Sequence, residues 1–336
     1  MAEGHVTQLT LIICTHNRAP SLAATLEAIA MQQVPAIVRW DVLVVTNACT
    51  DETNSVAERY AQDSRIPLLR VVDEPRPGVA YARCTGVRHS SATWVAMVDD
   101  DCLLAPDWVH QASTFAESQP YAGAFAGRNE IVWPPDTPLW CMDHADSLAH
   151  QNFGEEPRRL PDRGRPAPCG AGLILNRSAL MGSGFLDRGR LVGRGPRDVH
   201  AGEDSEMVFF IRNAGWEVWY TPDLHLRHVI TRSRTTLHYQ CSLHHGFGLV
   251  EGYLRLLSHH EPLTPRNRNR SLWWAVEEMV RVLLLMPRQY FFGKGTSPAW
   301  LIRYHHALGF MEGALRLAKG TKSERSSDNV SLPTKG

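Results

Sequence analysis

Thr93-Trp94-Val95-Ala96-Met97-Val98-Asp99-Asp100-Asp101 is an apolar, β-forming run that ends in three consecutive carboxylates. The apolar part reads as a strand buried on both faces. At its end the like charges repel by roughly 1 kcal/mol per close pair, even in high dielectric. The triplet therefore needs open water or a cation. Mg2+ and Mn2+ take oxygen ligands of this kind and commonly share them with substrate phosphates. The other reading is an acidic turn ahead of the helix that Pro106-Asp107-Trp108 opens.

Upstream, the same pattern repeats. Leu9 to Cys14 is an apolar strand ending in Thr15-His16-Asn17-Arg18, followed by a helix from Ser21 with Leu22, Leu26 and Ile29 at helical spacing. Trp40 to Val45 is a second strand, ending in Thr46-Asn47-Ala48-Cys49-Thr50-Asp51. There Thr50 or Asp51 can cap the next helix. Leu68 to Val72 is a third strand, and the turn Pro75-Arg76-Pro77-Gly78 leads into a helix over Val79 to Val87. Strands alternating with helices specify an α/β fold, a mostly parallel sheet with helices on both faces. Ligands of such sheets sit beyond the carboxyl ends of the strands. All three polar clusters fall there.

Downstream the periodicity weakens. Arg128 to Pro168 reads as a long irregular stretch, which inside a domain is functional or mobile. Ala171 to Leu175 is a strand with a helix after it, and Arg188 to Gly202, rich in glycine and arginine, reads as a flexible loop able to act as a lid. Gly202-Glu203-Asp204-Ser205-Glu206 opens a helix; Trp216 to Tyr220 and Leu224 to Ile230 read as two strands. From Thr235 the pattern is helical, over Leu237–Leu257, Leu272–Met286 and Trp300–Leu317, and the polar Thr321–Gly336 reads as a disordered tail. The division expected is 1–235 catalytic, 236–320 helical extension and 321–336 tail.

The 336 residues carry 35 basic and 35 acidic side chains, so the net charge is zero and the basic excess of a nucleic-acid binder is missing. Seven dispersed cysteines without a CxxC read as free thiols in a reducing compartment. The chain shows neither a signal-peptide start nor an apolar run of about 18 residues, which predicts a cytoplasmic location.

Four segments in order, Cys14-Thr15-His16-Asn17-Arg18, Val44 to Asp51, Val98 to Asp101 and Gly202 to Glu206, give the chain a family likeness. It resembles the inverting nucleotide-sugar glycosyltransferases of family 2, with the GT-A fold, over residues 8–235. That resemblance implies a nucleoside-diphosphate sugar donor, Mg2+ or Mn2+ on its diphosphate, and one displacement that inverts the anomeric carbon. It places Thr15, His16, Asn17 and Arg18 at the nucleoside, Asn47 at the base edge and Arg83 near the donor. Thr46 and Ala48 stand where the family often has Asp and Gly, leaving the base open. Asp99 resembles the carboxylate near the ribose, Asp100 the variable middle member and Asp101 a metal ligand, and His228 falls where many relatives carry a histidine that completes the metal shell. Asp204 matches the general base, with Glu203 beside it to help position the acceptor. The small-residue segment Cys169-Gly170-Ala171-Gly172 matches one that approaches the acceptor. Family members often modify lipid-linked or envelope polysaccharides, so the acceptor expected is a carbohydrate, a glycolipid or a small molecule.

Each residue also has a plainer reading. His16 and His228 can be surface histidines, Arg83 a solvated helix arginine, Asn47 a turn former, and Glu203 and Asp204 the usual acids of a first helical turn. Trp133 and Trp140 can be a sugar platform or core. A sugar nucleotidyltransferase would also use an acidic cluster but lacks its phosphate loop here, and a non-catalytic nucleotide-sugar-binding module need not keep Asp204. Between Pro262 and Gly320 nine basic residues oppose three acidic ones, with Trp273, Trp274, Phe291, Phe292 and Trp300 interleaved. These helices are expected to cap the catalytic domain, form a homodimer or dock on the inner face of an anionic membrane.

Overall fold

The structure is a computed structural model that describes residues 8–193, 201–292 and 298–320, the side chains of 286–292 excepted. The tail 321–336 and part of the glycine- and arginine-rich loop, 194–200, lie outside the described residues.

Its first half alternates as the sequence predicts: β1 (Gln8–Thr15), α1 (Ala19–Ala30), β2 (Arg39–Asn47), α2 (Thr53–Tyr60), β3 (Leu69–Glu74), α3 (Val79–His89) and β4 (Trp94–Asp99). These strands pair in parallel in the order β3-β2-β1-β4. Side chains alternate between the faces, as a strand's period of two dictates. Leu9, Leu11 and Ile13 of β1 pack under α1 and α2 with Leu22, Leu26 and Ala57. Ile12 points the other way, toward Ala82 and Val87 of α3.

Beyond β4 the sheet is mixed, which corrects the mostly parallel reading. The further elements are β5 (Cys102–Leu104), α4 (Trp108–Ser118), β6 (Ala122–Val132), α5 (Leu139–Met142), β7 (Arg158–Arg159), β8 (Leu173–Asn176), α6 (Arg177–Gly182), α7 (Phe185–Arg188), α8 (Glu203–Asn213) and β9 (Glu217–Val229). β8 runs antiparallel to β4 and to β6, β6 runs parallel to β9, and the short β5 and β7 pair antiparallel with β9.

Two further expectations change. β6 takes in Arg128 to Val132, so the irregular stretch starts later. Its Ala122-Gly123-Ala124-Phe125-Ala126-Gly127 core shows little hydrophobic pattern because small residues are needed there: a Cβ on Gly127 would lie 1.8 Å from the Leu224 carbonyl oxygen. The two strands expected around 216–230 are one, β9. Its register against β6 jumps between Ala126 and Arg128, beside Pro222, which has no N–H for a ladder. Trp133 and Trp140 pack against buried Leu148, Ile230 and Leu243 rather than standing as a platform.

Three helices follow: α9 (Leu237–Ser258), α10 (Pro265–Phe292) and α11 (Pro298–Lys319). α9 joins the catalytic half through Val250 and Leu254 against Phe209 of α8. α10 and α11 close on each other through Ala275, Phe310 and Ala314, then Val282, Trp300 and Ala307. Of the tryptophans interleaved with the basic residues, Trp300 is buried and donates to the Val282 carbonyl, Trp274 lies under Arg255 and Arg270, and Trp273 faces solvent. The side chains of Phe291 and Phe292 lie outside the described residues.

Candidate active site

The register of the parallel strands brings their polar ends to one level: Cys14 sits beside Asp99, and Thr15 beside Thr46. A cavity of about 340 Å³ opens there. Thr15, Arg83, Asp99, Asp101, Asp204 and His228 all line it, although they come from five elements and the β4–β5 turn, spread over the chain. Arg18, His16, Asn47 and Glu203 line it too. Asn17 is exposed and is used structurally: its Oδ1 accepts from the Thr50 and Asp51 N–H groups, tying the end of β1 to that of β2.

The three carboxylates have three environments. Asp99 is half-exposed and lies 3.2 Å from the Arg83 guanidinium. Asp100 is buried; it accepts a 2.7 Å hydrogen bond from the Thr15 hydroxyl and faces Arg18 at 3.3 Å. Burial drives its proton affinity up, Arg18 opposes this, and the charge of Asp101 adds to it. Asp101 is equally buried, yet His228, Arg234 and Arg18 together outweigh the desolvation and hold it far below the usual carboxylate range. Neighbouring residues of one type therefore shift in opposite directions, because more of the cations gather on Asp101.

The donor set fits a divalent cation. Ligand atoms of Asp99, Asp101 and His228 lie within 4.8 Å of one another. Asp101 Oδ2 is buried, accepts no aligned hydrogen bond, and is flanked by Arg18 and Arg234 at 3.0 and 3.1 Å. His228 donates from Nδ1 to the Leu148 carbonyl at 2.8 Å, which orients the ring and turns Nε2 to Asp101 Oδ1 at 2.9 Å. A backbone carbonyl behind a ligating imidazole is the usual means of fixing its tautomer. Burial disfavours the imidazolium, but Asp101 overrides it and raises the His228 pKa.

On the nucleoside side, His16 donates from Nδ1 to the Asn47 carbonyl at 2.6 Å, which fixes the ring at the cavity wall. The Asn47 side chain is occupied within the protein. It donates to the carbonyls of Glu74 and Arg76 at 2.8 and 2.7 Å and accepts from the Gly78 N–H at 2.9 Å. Here the amide clamps the β3–α3 turn, which is the turn chemistry that its residue type allows.

On the opposite wall, buried Arg83 spans Asp99 and Glu203, 2.9 Å away. Burial alone would weaken its charge; the carboxylates of Glu203, Asp99 and Asp204 more than offset that. Glu203 is thus engaged with an arginine. Asp204 faces the cavity, its Oδ2 accepting from the Gly170 N–H at 2.8 Å and its Oδ1 from the Ser205 N–H at 2.7 Å. The small-residue segment therefore reaches the candidate base itself. Sequence reasoning missed Arg234, which follows β9 in an irregular basic stretch and has no spacing that marks it. It also missed Asp146 and Ser147 on the cavity rim.

A mixed sheet whose parallel half ends in acidic residues, a facing Glu-Asp pair and a helical appendage define a nucleotide-sugar transferase of the GT-A fold. Residues 10–182, more than half of the chain, match the family model for Glycosyl transferase family 2, and the chain belongs to that family. It is 23% identical over 234 residues to a glucosyl-dolichyl phosphate glucuronosyltransferase of Haloferax volcanii, covering 68% of this chain and 71% of that one. It is 24% identical over 245 residues to the succinoglycan biosynthesis protein ExoM of Rhizobium meliloti, covering 72% and 73%. In structure it is similar to mannosyltransferase PcManGT of Pyrobaculum calidifontis in complex with GDP-Man and Mn2+, with TM-score 0.58 and 18% identity over 95% and 89% of the two chains. It is also similar to TarS 1-349 of S. aureus in complex with UDP, with TM-score 0.52 and 13% identity over 94% and 92%.

Proposed function

We propose that this chain moves a hexose from a nucleoside-diphosphate sugar to an acceptor hydroxyl with inversion, and that residues 8–235 are its catalytic part. The observation that supports this best is one cavity holding a cation-type donor set, Asp99, Asp101 and His228, together with a carboxylate held by backbone N–H groups, Asp204. A structural neighbour bound to GDP-Man and Mn2+ and another bound to UDP agree with a donor of this class.

In the reaction proposed, Asp204 accepts the proton of the acceptor hydroxyl as its oxygen attacks the anomeric carbon. The bond to the diphosphate oxygen breaks on the opposite face, and the nucleoside diphosphate leaves. Each Asp204 oxygen keeps a lone pair beyond its N–H bond, and the two N–H groups hold the carboxylate for that proton. Asp101 and His228, with Asp99, would hold Mg2+ or Mn2+, which supplies positive charge to the departing diphosphate. Arg18 and Arg234 neutralise Asp101 in the donor-free protein and lie where they can turn to the diphosphate. Arg83 keeps Asp99 and Glu203 in place between donor and base.

A thermal-shift panel of nucleotide sugars with and without Mn2+ tests the donor side: one donor should stabilise the protein, and only with metal. Asp204→Asn should keep that stabilisation and lose transfer. A variant that transfers normally would remove the base from the mechanism, and wild-type protein that binds the donor without transferring it would leave only a binding module. The names of the relatives, one acting on a glucosyl-dolichyl phosphate and one in succinoglycan biosynthesis, favour a lipid-linked or polysaccharide acceptor.

A further inference from the structure

The solvent side of α10 carries an apolar stripe, interrupted by the exposed Glu277. Trp273, Val276, Val280, Leu283 and Leu284 recur at helical spacing and are between 44% and 71% exposed. The opposite side, Ser271, Ala275 and Val282, is buried against α9 and α11. Single apolar residues on a surface need no explanation, but five on one stripe mark an interaction site.

We propose that this stripe seats the protein on an anionic lipid bilayer. Charge selects this occupant. The whole chain is neutral, whereas residues 262–320 carry nine basic and three acidic side chains, an excess of six. Arg266 continues the stripe two turns before Trp273; Arg270, one turn before it, is paired with Glu261 over Trp274, and Arg281 flanks the stripe in a pair with Glu277 and Glu278. A second copy docked stripe to stripe would bring two such basic surfaces together. The chain's own 321–336 segment has only Val330 and Leu332 as large apolar residues, too few to cover five. An anionic surface instead accepts the apolar side chains at the headgroup boundary and the arginines at the phosphates. Among the described residues no helix is long and apolar enough to cross a membrane, so the contact is with the surface.

Co-sedimentation of the full chain with vesicles tests this, using phosphatidylcholine alone and with about a third phosphatidylglycerol. Binding should be about tenfold stronger or more on the anionic vesicles and should weaken as salt rises. Val280→Asp with Leu284→Asp should lower it about tenfold while Tm and donor-nucleotide binding stay at wild type. Arg266→Glu, at an exposed position outside the packed side of α10, should lower it about fivefold with Tm unchanged. Equal binding to neutral vesicles, no binding to anionic ones, or a dimer in sedimentation equilibrium that the Asp pair dissolves would overturn the proposal. Because the readout is vesicle binding, its failure is separate from failure of the glycosyltransferase reading.

Discussion

Asp204 takes its orientation from Gly170: the carboxylate Oδ2 accepts the Gly170 backbone N–H at 2.8 Å, across 34 residues of sequence. Gly170 is also pressed by Arg83, whose guanidinium nitrogen would lie 2.5 Å from a Cβ at that position. Base, glycine and arginine thus form one packed unit, in which a methyl group has no free space.

Gly170→Ala is therefore expected to push Arg83 off Glu203 and tilt the N–H that holds Asp204. Transfer should fall about a hundredfold, as small displacements of reacting groups do, with a Tm loss of only a few degrees. Comparing kcat with the melting curve checks it. Equal turnover would mean that Arg83 gives way without moving the carboxylate.

Asp101 is the shared anion of His228, Arg18 and Arg234. Asp101→Asn leaves those cations together without it, so the metal-free protein should lose about 3 kcal/mol or more in chemical denaturation. The same variant should lose the Mn2+-dependent stabilisation by nucleotide. Chelating the metal from wild type should remove that stabilisation while leaving the unliganded Tm unchanged.

Arg234→Ala separates the second arginine from the carboxylate it neutralises. With Arg18 still present, the fold should persist. If Arg234 turns to the diphosphate, the Kd of a nucleoside diphosphate should rise about tenfold, while that of the nucleoside stays the same. Isothermal titration with the two ligands reads the difference.

Acid stability should depend on His244. Burial lowers its pKa to about 4, with help from His144 and His306, and its Nε2 has no hydrogen-bond partner. In the unfolded chain the ring protonates near the ordinary value of about 6.5. Between those values the unfolded state binds the extra proton, so stability is present above about 6.5 and is lost as pH falls toward 4. His244→Phe, which can pack on Phe247, should flatten the fall of Tm over that window.

Much of this protein is legible in short stretches. The alternation from Leu9 to Val98 reports strands and helices because side-chain period and backbone period are local properties. The acidic strand end at Asp99 to Asp101 is adjacent in sequence, so its unusual charge density is visible without a structure. β6 was hidden because its close contact with Leu224 demands glycine and alanine, which carry no strand pattern.

By itself, then, the order of residues determined the parallel half of the sheet, the helical C-terminal part and the carboxylates that end β4. Tertiary structure alone decided what those groups meet: His228 on Asp101 across 127 residues, Glu203 on Arg83 across 120, and Asn47 turned inward to backbone carbonyls. It also decided that the apolar stripe of α10 faces out. Such pairings depend on how distant segments pack, and local periodicity holds no record of which strand end a remote side chain will reach.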